Sequence, residues 1–220
     1  MKNIDDYSLY LVTSQEYSGK KNSLDVARLA IESGIDILQM REKTIPKDEI
    51  IRLGRKLSTL CKKSNIVFII NDDPYLAKKL DADGVHLGQE DLKEFPIEKV
   101  RQILGKDKII GLSTHSLKQV KTANNYDINY IGFGPIFKTK TKNYSLGTKD
   151  IPKVLKTAKM PIVFIGGINS SNIEEILPLG VKNIAVIREI THAQNIRVKV
   201  LGLKNIISKC KKSPINGSKN

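Results

Sequence analysis

Gln39-Met40-Arg41-Glu42-Lys43 closes the apolar run Ile35-Asp36-Ile37-Leu38 with polar and charged groups. Read as a β-strand of period two, it turns Ile37, Gln39, Arg41 and Lys43 to one face and Leu38, Met40 and Glu42 to the other. An amide and two cations aimed at one point suit a diphosphate, since a guanidinium offers a planar fork of donors and an ammonium a compact charge. The alternative is a strand end whose charges are simply solvated, and the other strand ends must decide between the two. Asp72, in Asn71-Asp72-Asp73, and Asp91, which ends His86-Leu87-Gly88-Gln89-Glu90-Asp91, follow consecutive apolar runs. Their carboxylates can converge on one hard cation such as Mg²⁺, whose shell water and substrate phosphate complete. Capping of the helix that Pro74 opens is the competing role for Asp72 and the better one for Asp73. Asn71 both donates and accepts, as the edge of a heterocycle requires.

Two further segments suit phosphate. The stretch 138–147 holds Lys138, Thr139, Lys140, Thr141 and Lys142, lacks an apolar pattern, and reads as a lid expected to be poorly ordered without ligand. Gly166-Gly167, with Asn169 and Ser170 ahead of a helix, suits an anion at a helix N-terminus. His86 reads as an interior histidine. His115 follows Ser113 with no acid in register, so a hydrolase triad is unsupported, and capping by Ser113, Thr114 or Ser116 is the plainer reading.

What must position these residues is a set of short apolar runs alternating with segments of helical length. The runs cover 9–13, 36–41, 67–71, 84–88, 109–113, 130–137, 162–166 and 183–187. The helical segments cover 23–32, 47–62, 74–80, 97–104, 117–124, 150–157, 171–177 and 193–208, with Ser23 as the expected cap of the first. Eight βα units imply an α/β fold, a (β/α)8 TIM barrel over 1–208 as a single domain, with 209–220 as a basic, flexible tail. A doubly wound open sheet is the alternative, but the turn after Thr13 lacks the glycines that fold favours. In a barrel the polar strand ends share one face, where active sites form.

Composition narrows the classes. The net charge of +14 invites anionic partners, yet its lysines are spread over the whole chain. With aromatics at 5% and no Trp, stacking platforms for nucleic acid are scarce, and no nucleic-acid partner is expected. Cys61 and Cys210 lack metal-ligand spacing and read as reduced thiols. A polar, acidic start at residues 1–6 and the lack of any run of transmembrane length point to a cytoplasmic protein without a membrane partner.

Taken together, the motifs resemble those of thiamine phosphate synthases over 9–187. They comprise Gln39 through Lys43, Asn71-Asp72, Asp83 through Asp91, Gly134-Pro135-Ile136-Phe137 with Thr139, Thr141 and Lys142, and Gly166-Gly167-Ile168. The resemblance implies a barrel that joins two small phosphorylated substrates, hydroxymethylpyrimidine diphosphate and thiazole phosphate, into thiamine phosphate and pyrophosphate with one Mg²⁺. It implies pyrimidine-diphosphate contacts at Gln39, Met40, Arg41, Glu42, Lys43, Asn71, Ser113 and Lys142, of which Arg41, Lys43, Ser113 and Lys142 are the catalytic set. Thiazole phosphate falls to Thr139, Lys140, Thr141, Gly167, Ile187 and Arg188, and the metal to Asp72 and Asp91. Where the family usually places a serine and a small residue, this chain has Arg188-Glu189. Arg188 either strengthens the phosphate site or pairs with Glu189 or another acid. A thiazole tautomerase on the same fold, or a non-catalytic phosphate-ligand or nucleic-acid binder, are the rivals. The first would not need Arg41, Lys43, Asp72, Asp91 and Lys142 together. Oligomeric state stays open.

Overall fold

The computed structural model describes residues 4, 8–19 and 21–212, with side chains through residue 209. Its strands are β1 (Leu9–Thr13), β2 (Ile37–Met40), β3 (Val67–Asn71), β4 (Gly84–Leu87), β5 (Ile109–Thr114), β6 (Tyr130–Phe133), β7 (Ile162–Ile165) and β8 (Asn183–Val186). Each pairs in parallel with the next and β8 returns to β1, so the sheet is a closed barrel. The helices are α1 (Ser23–Glu32), α2 (Lys47–Lys63), α3 (Pro74–Lys79), α4 (Ile97–Leu104), α5 (Leu117–Ala123), α6 (Ile151–Thr157), α7 (Ile173–Ile176), α8 (Arg188–Thr191) and α9 (Ile196–Lys212).

Alternation along the strands builds two apolar layers. Leu9, Leu11, Leu38, Met40, Phe68, Ile70, Ile110, Leu112, Phe164 and Ile184 point outward and pack against the helices. Tyr10, Val12, Ile37, Val67, Ile69, Ile109, Tyr130, Val163 and Ala185 fill the barrel interior. Burying an aliphatic or aromatic side chain contributes roughly 1.5–3 kcal/mol, so the outer layer carries most of the stability. Fewer interior positions are apolar, and the polar ones gather toward the carboxyl ends.

Boundaries move where local chemistry intervenes. Asn22, not Ser23, caps α1, its side chain accepting from the Leu24 amide at 2.8 Å. Ser23 instead donates its hydroxyl to Glu42 at 2.9 Å. Strand β6 stops at Phe133 rather than 137 because Pro135 has no amide proton for a ladder. The segment after it still donates from Ile136 to Ile165 and from Phe137 to Gly166. Helix α7 starts at Ile173 rather than 171, since Asn169 and Asn172 bond the intervening backbone with their side chains. Asn195 accepts from the Val198 amide, which delays α9 to Ile196, and that helix runs to Lys212, past the boundary at 208. The remainder of the expected tail, 213–220, lies outside the described residues, as does the side chain of Cys210. Cys61 is buried in the outer layer.

Candidate active site

A cavity of about 760 Å³ opens at the carboxyl end of the barrel. Gln39, Arg41, Asn71, Ser113, Thr139, Lys140, Thr141, Lys142, Gly167, Ile187 and Arg188 all line it. Strands β2 to β8 thus bring together residues from most of the sequence. Lys43, Asp72 and Asp91 stand beside the cavity instead of on its wall. The side-chain amide of Asn71 lines the cavity and makes no hydrogen bond to the protein among the described residues, so it is open to a ligand.

Two expected contacts are corrected. Met40 is 2% exposed and belongs to the outer layer, since the strand period turns it away from the cavity. Glu42 accepts from the Gln15 amide and from the Ser23 hydroxyl, so its carboxylate fastens the β1 and β2 loops together.

Along the cavity wall runs a chain of side-chain hydrogen bonds. Gln39 Nε2 donates to the Tyr10 hydroxyl at 2.7 Å, which bonds the Tyr130 hydroxyl at 2.9 Å. Tyr130 in turn meets His86 Nδ1 at 2.9 Å, and His86 Nε2 meets Ser113 Oγ at 2.9 Å. Gly111 makes room for the pair: a Cβ there would stand 2.2 Å from the Tyr130 ring and 2.6 Å from His86 Nδ1. His86 is therefore an interior histidine, as its place inside a strand implies. Burial lowers its pKa to about 4, against a smaller upward push from Asp72.

The unfolded chain takes up this proton near the ordinary 6.5, the folded one only near 4, so stability is full above pH 6.5 and falls between those values. At pH 5 the loss from this group is about 2 kcal/mol. In His86→Asn the denaturation midpoint should accordingly decline less from pH 7 to pH 5 than in the wild type. Equal declines in the two proteins would show that His86 does not titrate this way.

Asp72 has φ +65°, a left-handed conformation that Asp tolerates better than most residues, and its carboxylate meets Lys43 Nζ at 2.8 Å. Asp91 Oδ2 accepts from the Gly88 amide at 2.6 Å. Burial first, and the neighbouring Asp72 carboxylate as well, raise the Asp91 pKa to about 6 despite that bond. Asp73 is the cap of α3, accepting from Leu76. Ser116 caps α5, leaving Ser113 to the cavity. Among the described residues no cluster of three or more His, Cys, Asp or Glu side chains suits a metal.

The loop 138–147 is more structured than expected. Its far foot is pinned by Leu146 donating to Pro135 and Gly147 to Ile136, at 2.8 and 3.0 Å. Its tip is a tight turn, with Thr139 bridged to Lys142 and the Thr139 and Thr141 hydroxyls 3.1 Å apart. Tyr144 meets the His115 ring edge-on. Gly167, at φ +68°, lets this loop approach, since a Cβ would lie 2.5 Å from the Lys138 carbonyl. Asn169 and Ser170, however, are not free for phosphate. Asn169 bonds Ser171 and the Gly167 carbonyl, while the Ser170 amide and hydroxyl donate to Glu189. Although burial pushes the Glu189 carboxyl up, Lys199 at 2.7 Å and Ser170 hold it below the usual range. Glu189 is thereby occupied, and Arg188 lies over the Tyr17 ring instead. The alternation inside β1 and β6 would have placed Tyr10 and Tyr130 inward, but nothing in the sequence pairs them with His86, and nothing marks Tyr17.

A closed parallel barrel whose carboxyl end gathers lysines and arginines together with neutral hydrogen-bonding groups in one cavity is the architecture of an enzyme for small phosphorylated substrates. Within that class the choice is narrow. The family model for thiamine monophosphate synthase matches residues 9–190, and the chain belongs to that family. It is an alkyl-transferring enzyme of the kind that makes thiamine phosphate. It is 41% identical over 204 residues to the thiamine-phosphate synthase of Pelotomaculum thermopropionicum, covering 91% of this chain and 92% of that one. To the Dictyoglomus turgidum thiamine-phosphate synthase it is 41% identical over 207 residues, covering 93% and 92%. The solved thiamine phosphate pyrophosphorylase of Pyrococcus furiosus superposes with a TM-score of 0.83 at 33% identity, covering 93% of this chain and 96% of that one. No helix among the described residues is long and apolar enough to cross a membrane.

Proposed function

We propose that the cavity holds 4-amino-2-methyl-5-hydroxymethylpyrimidine diphosphate and 4-methyl-5-(2-phosphoethyl)thiazole side by side and joins them. The observation that carries this reading is the make-up of the wall: neutral donors and acceptors (Gln39, Asn71, Ser113) and the cations Arg41, Lys140, Lys142 and Arg188 line one cavity. A pyrimidine edge suits the first set and phosphates the second. In the reaction the methylene–oxygen bond breaks, pyrophosphate departs with the electron pair, and the ring amino group delocalises the cation left on the methylene. The thiazole nitrogen then donates its lone pair to that carbon. No proton transfer is required at the bond-forming step, in keeping with the absence of a triad at His115.

Arg41, Lys43 and Lys142 neutralise the leaving group, while Gln39, Asn71 and Ser113 orient the pyrimidine. Thr139, Lys140, Thr141, Gly167 and the Ile187-Arg188 turn receive the thiazole phosphate. Met40 and Glu42 take no part through their side chains. Asp72 and Asp91 fit a Mg²⁺: they are two adjacent hard-oxygen ligands, the Asp91 carboxyl raised first by burial and then by Asp72, and such ions are commonly held by two carboxylates plus substrate phosphate. When bound, the ion supplies Lewis-acid neutralisation of the diphosphate. Incubating the purified protein with Mg²⁺ and both substrates should yield thiamine phosphate and pyrophosphate in equal amounts. Failure to form thiamine phosphate would overturn this reading.

A further inference from the structure

Tyr17 ends the 3-10 turn Gln15–Tyr17, which follows β1. Because β1 lies between β2 and β8 in the closed barrel, this turn stands between the Arg41 that leaves β2 and the Arg188 that follows β8. Both guanidinium groups lie over the one ring, Arg188 Cζ at 4.4 Å from its centroid and Arg41 Cζ at 5.5 Å. The turn is fastened on both sides. The Gln15 amide donates to both oxygens of Glu42, at 3.1 and 2.9 Å, and the buried Thr191 hydroxyl of α8 donates to the Tyr17 carbonyl. Ser18 closes the turn itself by donating to the Ser14 carbonyl at 2.7 Å. The backbone that carries the ring is thus held on both sides, while the ring itself touches the two guanidinium groups.

An aromatic face holds a cation without consuming its N–H donors, whereas a carboxylate partner would occupy the fork. Both arginines are left in that condition. The acid nearest Arg41 is Glu16 at 3.9 Å, too far for a hydrogen bond, and Arg41 Nη1 is buried with no hydrogen-bond partner. Glu189 is taken by Lys199 and Ser170, so Arg188 has no carboxylate partner among the described residues. The two cations are no more than about 10 Å apart, close to one screening length at physiological salt, and they repel until an anion arrives.

We propose that Tyr17 is a positioning residue that presents Arg41 to the diphosphate of one substrate and Arg188 to the phosphate of the other, coupling the two anion subsites through a single ring. This rests on the subsite assignment proposed above. An anion bound at either arginine removes the repulsion and settles the shared ring, so the second anion binds more tightly.

The test compares Tyr17→Leu, which keeps apolar bulk without a π-face, with Tyr17→Phe, which keeps the ring. Calorimetric titration uses inorganic pyrophosphate and thiazole phosphate as probes, alone and together, beside steady-state turnover. In Tyr17→Leu the KM for thiazole phosphate should rise about tenfold and pyrophosphate affinity should fall severalfold. Pyrophosphate should tighten thiazole phosphate binding in the wild type but not in Tyr17→Leu, and Tyr17→Phe should restore wild-type values. In an Arg188→Ser background, Tyr17→Leu should add no further loss for thiazole phosphate. Wild-type behaviour of Tyr17→Leu, a Tyr17→Phe as impaired as the leucine variant, or fully additive losses would each overturn the proposal. Wild-type protein that makes no thiamine phosphate would instead overturn the functional reading, and the pyrophosphate titration reads the Tyr17 effect without turnover.

Discussion

Asp72→Asn and Asp91→Asn are each expected to lower Mg²⁺-dependent turnover by about a hundredfold or more, because a cation that neutralises a leaving diphosphate supplies several kcal/mol. Neither change should unfold the barrel. Asn tolerates the left-handed conformation of position 72 as well as Asp does, so φ +65° adds no strain in the variant. At position 91 the amide oxygen still accepts from Gly88, and a repulsion between neighbouring carboxylates is relieved. The thermal midpoint should therefore move by only a few degrees, the shift that about 1 kcal/mol produces in a domain of this size. Initial rates over a Mg²⁺ titration, with melting curves on the same samples, separate the two effects. Full activity in both variants would remove these carboxylates from the metal site.

Lys142→Ala is expected to reduce kcat at saturating substrate by roughly ten- to a hundredfold, with a smaller change in KM. Lys142 is exposed at the tip of its loop and has no acid partner among the described residues, so its charge is uncommitted. A cation that meets negative charge as it builds on departing pyrophosphate acts on the transition state more than on the bound substrate. The pinned foot at Leu146 and Gly147 confines loop movement to the tip, a short lever that needs only a small closure. Single-turnover measurements would isolate the chemical step. A wild-type rate there would return Lys142 to the many solvated lysines.

The barrel was legible in the sequence because its signal is repeated: runs with outward Leu, Ile and Phe recur between helical segments, and each strand lies within a residue or two of its expected span except β6. That strand was drawn too long because Ile136 and Phe137 look like strand residues while Pro135 ends the ladder. Cavity residues such as Gln39, Arg41 and Asn71 were legible as polar groups at apolar strand ends. Glu42 misled because charge next to Arg41 and Lys43 reads as site chemistry, whereas its partners, Gln15 and Ser23, come from a different loop. Asn169 and Ser170 misled for a similar reason: their capacity for anions is spent locally and on Glu189. Tyr17 was illegible, since its meaning depends on Arg41 and Arg188 arriving from neighbouring strands.

The buried chain from Gln39 to Ser113 has a polarity. Gln39 donates a hydrogen bond to the Tyr10 oxygen, so Tyr10 must donate its own hydrogen onward or leave it stranded in the barrel interior. Tyr130 then passes its hydrogen to His86 Nδ1, which puts the imidazole proton on Nε2, facing Ser113. Reversing the order would orphan the Tyr10 hydrogen, and burial of both tyrosines and of His86 keeps every member uncharged at neutral pH. Ser113 therefore receives on its oxygen and keeps its hydroxyl hydrogen to offer to the cavity. A side chain that in water would be indifferent between giving and taking becomes a one-way donor, dictated by an amide on the far side of the barrel.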